Sequence, residues 1–196
     1  MPNWCDNTLY MTHKDPKMVD KAIEGWKNNK FFGTLVPEPD YTQVKVKPTF
    51  PMNMATGEAK TEFVEPDQAW WDWRLQNWGT KWEIVCDESY IDIQENEHGK
   101  SIRASFSSAW SPPTDWYANL MEQGYEIKAH YYEGGCAFCG TWEDGDDDFY
   151  NIEPPEGMKT SVWVRENIPA ELDSEMGIAD SYESFEDEEE EEDAEV

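Results

Sequence analysis

The chain has 196 residues, room for one domain with a tail or a sizeable insertion but not for two ordinary domains. A formal net charge of -28 opposes direct phosphate binding, which relies on Lys and Arg displacing counterions. Only 38% of residues are hydrophobic, yet 14% are aromatic with 11 Trp, so the core has to be built from rings.

In chain order, residues 3 to 13, NWCDNTLYMTH, have the partial alternation of a first strand. A helix follows over 14 to 29, with Asp15 as cap, Pro16 in its first turn, and Met18, Ala22, Ile23 and Trp26 on one face. Residues 30 to 65 scatter Pro and Gly through weakly periodic sequence and read as an inserted excursion. A second helix is predicted from Glu65 to Gly79: Asp67 caps it, Trp71, Leu75 and Trp78 form its buried stripe, and Gly79 ends it. Trp82, Ile84 and Cys86 then alternate against Glu83, Val85 and Asp87, the mark of a half-buried strand whose Trp82 closes over the same core.

Residues 89 to 110 predict a strand, a turn at His98-Gly99 and a second strand with Ile102, Ala104 and Phe106 on one side. Ser111 and Pro112 open a further helix that Gly124 terminates. A closing hairpin spans 125 to 145, with Tyr125, Ile127, Ala129 and Tyr131 on one side and Glu133-Gly134-Gly135 at its turn. Beyond it, residues 160 to 167 read as one short strand and 169 to 185 as a helix that frays into the acidic end.

The resulting plan is α+β, a ferredoxin-like split βαβ sandwich in which an antiparallel sheet carries two helices on one face. The domain occupies 1 to 150 with its insertion at about 30 to 65, an extension fills 151 to 185, and 186 to 196 form a disordered acidic tail. Charge divides evenly between the two parts. From Glu171 onward there are 14 acids and no Lys or Arg, which leaves 29 acids against 15 basic residues before it. Residues 1 to 20 carry Asp6, Asp15 and Asp20 without an apolar run, so no signal peptide is read and no membrane span is found. The expected location is therefore a reducing cytoplasm, in which the four cysteines stay thiols.

Four short stretches, MPNWCDN at the start, NWGTKW at 77 to 82, FSSAWSPP at 106 to 113 and YYEGGCAFCG at 131 to 140, together resemble the YubB or Api92-like proteins of bacteriophages and plasmids. The resemblance covers about residues 1 to 145 and leaves out the excursion. It implies a ferredoxin-like domain and a mobile-element origin, and it supplies no catalytic residues.

Candidate chemistry is sparse. Cys136 and Cys139 have the spacing of half a zinc knuckle, and Cys5 and Cys86 would have to complete it from other strands. Small core thiols are the plainer reading. Asp144, Asp146 and Asp148 alternate as in a calcium loop, with Asp147 between them. Phe149 stands where that loop needs glycine and Pro155 where it needs its bidentate acid, so an EF-hand is excluded. No Gly-rich phosphate loop, GxSxG or HExxH occurs, and His13, His98 and His130 stand alone. No cofactor is implied.

If one sheet face is open, Tyr90, Tyr132 and Trp142 are the rings on which bases would stack, although no basic stripe accompanies them. These features point to a non-enzymatic acidic protein that binds a basic host or defence protein, a nucleic-acid-binding enzyme, by mimicking nucleic acid. The binding residues under that reading are Asp144, Asp146, Asp147, Asp148, Tyr132 and Trp142. A single-stranded nucleic-acid-binding module and a metal-dependent hydrolase are the alternatives.

Overall fold

In a computed structural model that describes residues 3–50, 62–96 and 99–194, the strands are β1 (Trp4–His13), β2 (Ile91–Asn96), β3 (Gly99–Ala109), β4 (Tyr125–Glu133), β5 (Phe138–Glu143) and β6 (Asp146–Asn151). All neighbouring pairs are antiparallel, in the order β2-β3-β1-β4-β5-β6. Opposed residues share a face, so the pairings Leu9 with Ala104 and Ala129, and Met11 with Ile102 and Ile127, place these apolar side chains on one side. Helices α1 (Pro16–Lys27) and α4 (Thr114–Glu122) lie over β1, β3 and β4 on that side. Asp15 caps α1 by accepting from the Lys17 amide, as its sequence suggests.

The core on this face is a stack of rings. Phe31 and Phe32 meet Trp116 at 5.1 and 4.7 Å between centroids, and Phe32 meets Trp78 and Phe106 at 5.7 Å each. Both phenylalanines come from the stretch read as an excursion. It folds in part as a short helix, α2 (Phe31–Leu35), because Phe31, Phe32 and Leu35 have the spacing to bury together. The stretch is also fastened further along. Arg74 donates two bonds to Glu38, at 3.0 and 2.6 Å, while buried Asp72 accepts from the Thr49 amide at 2.5 Å.

Several local expectations change. Helix α3 (Ala69–Asn77) carries Arg74, yet of its predicted stripe only Trp78 is fully buried; Trp71 is half-buried with its ring tilted against Phe50, and Leu75 is half-buried. Trp78 follows α3, Gly79 adopts φ +74 there, and Gln68 precedes the helix in place of Asp67. Residues 81 to 87 form no strand. Glu83, expected to point outward, turns in and accepts from the Phe32 and Gly33 amides at 2.9 Å, capping α2 from a distance. A single 3-10 turn, Glu88–Tyr90, then leads into β2. Pro113 rather than Ser111 precedes α4, and the Ser111 hydroxyl donates to the Gly79 carbonyl instead. Of the predicted turn at His98-Gly99, His98 lies outside the described residues.

After β5 the acidic sequence makes a further hairpin. Asp144 and Gly145 have φ +51 and +93, the signs of a two-residue type I′ turn, and Glu143 pairs with Asp146 across it. The stretch 160 to 167 is helical, α5 (Thr160–Asn167), not a strand, and α6 (Ala170–Met176) and α7 (Ile178–Ala194) follow. Gly177, at φ +63, separates these two. Ile152, Val164, Ile168, Leu172, Ile178 and Ala179 close with Cys139 into a second apolar cluster. The sheet thus carries helices on both faces, with α6 over β1 and β4, where two helices on one face were expected. In place of disorder from Glu186, the helical backbone continues to Ala194, since Glu sustains a helix that packed residues at its start have nucleated.

Candidate functional site

The four stretches that carry the sequence resemblance come together at one end of the sheet, around Asn3. Its carbonyl accepts from the Trp110 amide at 3.0 Å, and its amide side chain reaches the Cys136 sulfur at 3.4 Å. Glu133 folds back to accept from the Gly135 and Cys136 amides, at 3.0 and 2.5 Å, which closes the Gly-Gly turn against Asn3. From the 77 to 82 stretch, the Thr80 hydroxyl donates to the Ala109 carbonyl at 3.1 Å and the Trp82 ring lies 6.0 Å from that of Trp4. Lys81 sits over the Trp82 ring at 4.2 Å. These tryptophans are not core: Trp4 is 50%, Trp82 37% and Trp110 49% exposed.

Pairing explains why a surface opens here. β2 pairs with β3 only from Gly99 to Ala104, so Ser105 to Ala109 have no described strand on that side. The connection from Thr80 to Tyr90 runs beside them. Where it passes β3 lies a groove of about 450 Å³ lined by Asp6, Thr8, Val85, Asp87, Tyr90 and Met176 among others. Asp6 accepts from the Ser107 hydroxyl at 2.6 Å, and Asp87 from both the amide and the hydroxyl of Ser89 at 2.8 and 2.7 Å. Those bonds from Ser89, the backbone one first, hold the Asp87 carboxyl below its usual range and keep it charged. Trp110 adds a strained backbone, φ +74, which a bulky ring seldom adopts.

The residues singled out in the sequence do not meet there. Asp144 lies in the turn, while Asp146 and Asp148 alternate with Asp147 along β6 and so face opposite sides of the sheet. Asp147 accepts from the Tyr131 hydroxyl at 2.6 Å, across Gly140. Trp142 is buried on the ring-packed face, 5.5 Å from Tyr117, whereas Tyr132 is half-buried on the other face against Tyr182. Tyr90, Tyr132 and Trp142 therefore share no stacking surface.

Cys5 and Cys139 point to opposite faces, Cys86 is half-buried and Cys136 is exposed. Burial pushes the Cys86 and Cys139 thiols up to about 12, against the deprotonation that metal binding needs. Among the described residues, no three His, Cys, Asp or Glu gather as an ion would require.

One polar cluster does form beneath α6. Lys128 binds Glu171 at 2.7 Å, and Arg103 binds Glu175 at 3.0 Å and the Tyr10 hydroxyl at 3.1 Å. His130 is buried among them. Its Nδ1 is 2.9 Å from the Thr141 hydroxyl, and Nε2 has no hydrogen-bond partner among the described residues, with Glu171 3.7 Å away. Burial first, and the Lys128 charge second, lower the His130 pKa, so the ring stays neutral. Each charged neighbour is already committed to a partner that docks α6, which makes this a structural cluster.

No protein-family model matches the chain, and no curated protein matches it. Among solved structures it is similar to a protein api92 from Yersinia pseudotuberculosis, at 11% identity and a TM-score of 0.40, over 79% of this chain and 99% of that one. The likeness is distant. No described helix is long and apolar enough to cross a membrane.

Trp82, expected to close over the core, stands partly exposed, as does Trp4. A signal for Trp4 was present in the strand's own alternation: it shares a face with Asp6, Thr8, Tyr10 and Thr12, the polar side of β1. For Trp82 the only hint was the neighbouring Lys81.

Proposed function

We propose that the protein works by binding rather than by catalysis, as an acidic protein of a bacteriophage or mobile element that engages a basic host or defence protein in the cytoplasm by mimicking nucleic acid. The observation that carries this reading is the form of the acidic run. Glu186 to Asp193 are eight consecutive acids, and the α7 backbone is helical through all of them. A helix rises about 1.5 Å per residue, so the run bears about one charge per 1.5 Å of axis, beside about one per 1.7 Å for duplex DNA. A basic groove shaped for duplex would meet a similar line of charge.

The order β2-β3-β1-β4, with α1 and α4 on one face, supports the ferredoxin-like reading of that part and with it the family resemblance. A mobile-element origin rests on that resemblance. The basic partner follows from charge: with -28 over the chain, a protein surface rich in Lys and Arg is the one attracted from a distance.

The test is an affinity capture from host cells with the full chain, repeated with a chain ending at Asp187. A nucleic-acid-handling protein should be recovered, released by added duplex DNA and by salt, and recovered poorly by the shortened chain. Recovery indifferent to DNA, salt and shortening would end the mimicry reading.

A further inference from the structure

We propose that the groove beside Trp4 and Trp82 is a docking surface for an arginine-bearing segment of the basic partner. This rests on the reading above that the partner is basic, and adds where it is gripped and by which residue type.

Charge complementarity comes first. Asp6 and Asp87 line the groove and, among the described residues, no Lys or Arg does, so a cation entering it meets two carboxylates. Both are already oriented through Oδ1 by short bonds from serines, so little side-chain freedom is lost when a guanidinium arrives.

Ring surface comes second. Val85 is 87% and Tyr90 61% exposed at the groove, and Trp4 stands two residues before Asp6 on the same side of β1, with Trp82 beside it. Lys81 over Trp82 shows that this ring face already accommodates a cation of the chain's own. Arginine replaces it better, because a flat, weakly hydrated guanidinium can stack on a ring while its fork of N–H groups pairs with a carboxylate. Lysine offers only a point charge with a tighter water shell.

Other occupants fit worse. Phosphates would meet Asp6 and Asp87, and a second copy of this chain would bring -28 against -28. A purely apolar segment would have to desolvate both carboxylates without pairing them.

The experiment titrates the full chain with a capped nonapeptide containing three arginines spaced by glycine and serine, and with its lysine twin, following heat and tryptophan fluorescence. The arginine peptide should bind several-fold more tightly than the twin and perturb the fluorescence. Asp6→Asn with Asp87→Asn, and separately Trp82→Ala, should each weaken it about tenfold or more. Because Asp87 also caps the 3-10 turn, Val85→Lys serves as a variant at a solvent-exposed position that the fold tolerates, and it should block binding by charge alone. Ending the chain at Asp187 should change the peptide's affinity less than about twofold, since long-range attraction to the helix is screened at physiological salt.

Absence of binding, or equal binding of the twins untouched by these substitutions, would overturn the proposal. Binding lost on shortening but not on substitution would also overturn it, and would leave the acidic helix as the contact. If the substitutions act as expected while the captured partner ignores duplex DNA, the groove stands and mimicry fails.

Discussion

Across the same strands, Leu9, Met11, Ala104 and Ile127 on one face bury among rings, while Tyr10, Arg103, Lys128 and His130 on the other meet α6 largely through ion pairs and hydrogen bonds. Burial of rings is worth much per residue and is insensitive to salt; half-exposed ion pairs are worth little and are screened. The first face thus carries most of the burial that folds the chain, while on the second the apolar cluster around Cys139 and Leu172, joined by these ion pairs, holds the C-terminal helices down. At the Asn3 end, Trp4, Trp82 and Trp110 are left partly outside.

The strongest way to break the comparison is Trp78→Ala. Trp78 is 1% exposed, donates its ring N–H to the Val36 carbonyl at 3.0 Å and touches Phe32 and Trp73. Removing it should cost about 3 to 5 kcal/mol, a large part of the stability of an ordinary domain. Urea unfolding followed by circular dichroism measures it. A folded variant of near-native midpoint would mean the ring stack is not what holds the first face.

Gly140→Ala should come next. An added Cβ would run into the Tyr131 ring and lie 2.7 Å from the Asp148 carbonyl, so β5 and β6 would have to part. About 1 to 3 kcal/mol of lost stability is expected from such overpacking. Loss of the Tyr131 to Asp147 bond should accompany it, seen as changed near-ultraviolet tyrosine signals.

These two residues also show what was legible beforehand. Trp78 sits at helical spacing before a glycine, a local pattern that reads correctly without any partner. The role of Gly140 depends on a ring from another strand, and no local pattern announces that. Alternation was readable in β1, β3 and β4, where one face is apolar. It misled at Trp82 to Cys86, because the carboxylate of Glu83 is spent on amides of α2, about fifty residues earlier in sequence. It was silent at Asp146 to Tyr150, where charge hid a strand whose pairing comes from a two-residue turn. The acidic cluster drew attention as a site because its residues adjoin in sequence, and the pleat then divided them between faces.

Smaller effects probe the second face. Arg103→Met and Glu175→Gln should each cost no more than about 1 kcal/mol, discounted because the Arg103 side chain is 42% exposed, and the cost should shrink with salt. A double-mutant cycle at two salt concentrations gives the coupling. His130 supplies a pH signature. Its folded pKa is lowered below the ordinary 6.5, so the unfolded chain binds the proton first. The stability it contributes is complete above that ordinary value and is lost as pH falls through the folded one. In His130→Gln the slope of melting temperature against pH below about 6.5 should flatten; an unchanged slope would place the titration elsewhere.

The smallest effect on folding is expected where the charge is densest. Ending the chain at Asp187 keeps Glu186, whose carboxylate accepts from both the amide and the hydroxyl of Ser161 at 3.0 and 2.6 Å and so ties α7 to α5. The α7 residues that pack on the second apolar cluster, Ile178, Ala179 and Tyr182, are all kept, so stability should move by no more than about 0.5 kcal/mol. Its sign is of interest. Seven like charges leave with residues 188 to 196, and relief of their repulsion favours the shortened chain at low salt. Melting curves of the two chains at low and high salt would therefore either coincide at both or differ slightly at low salt in favour of the shorter one. A marked loss on shortening would mean that the acidic helix packs on the body and belongs with the second face rather than standing out toward a partner.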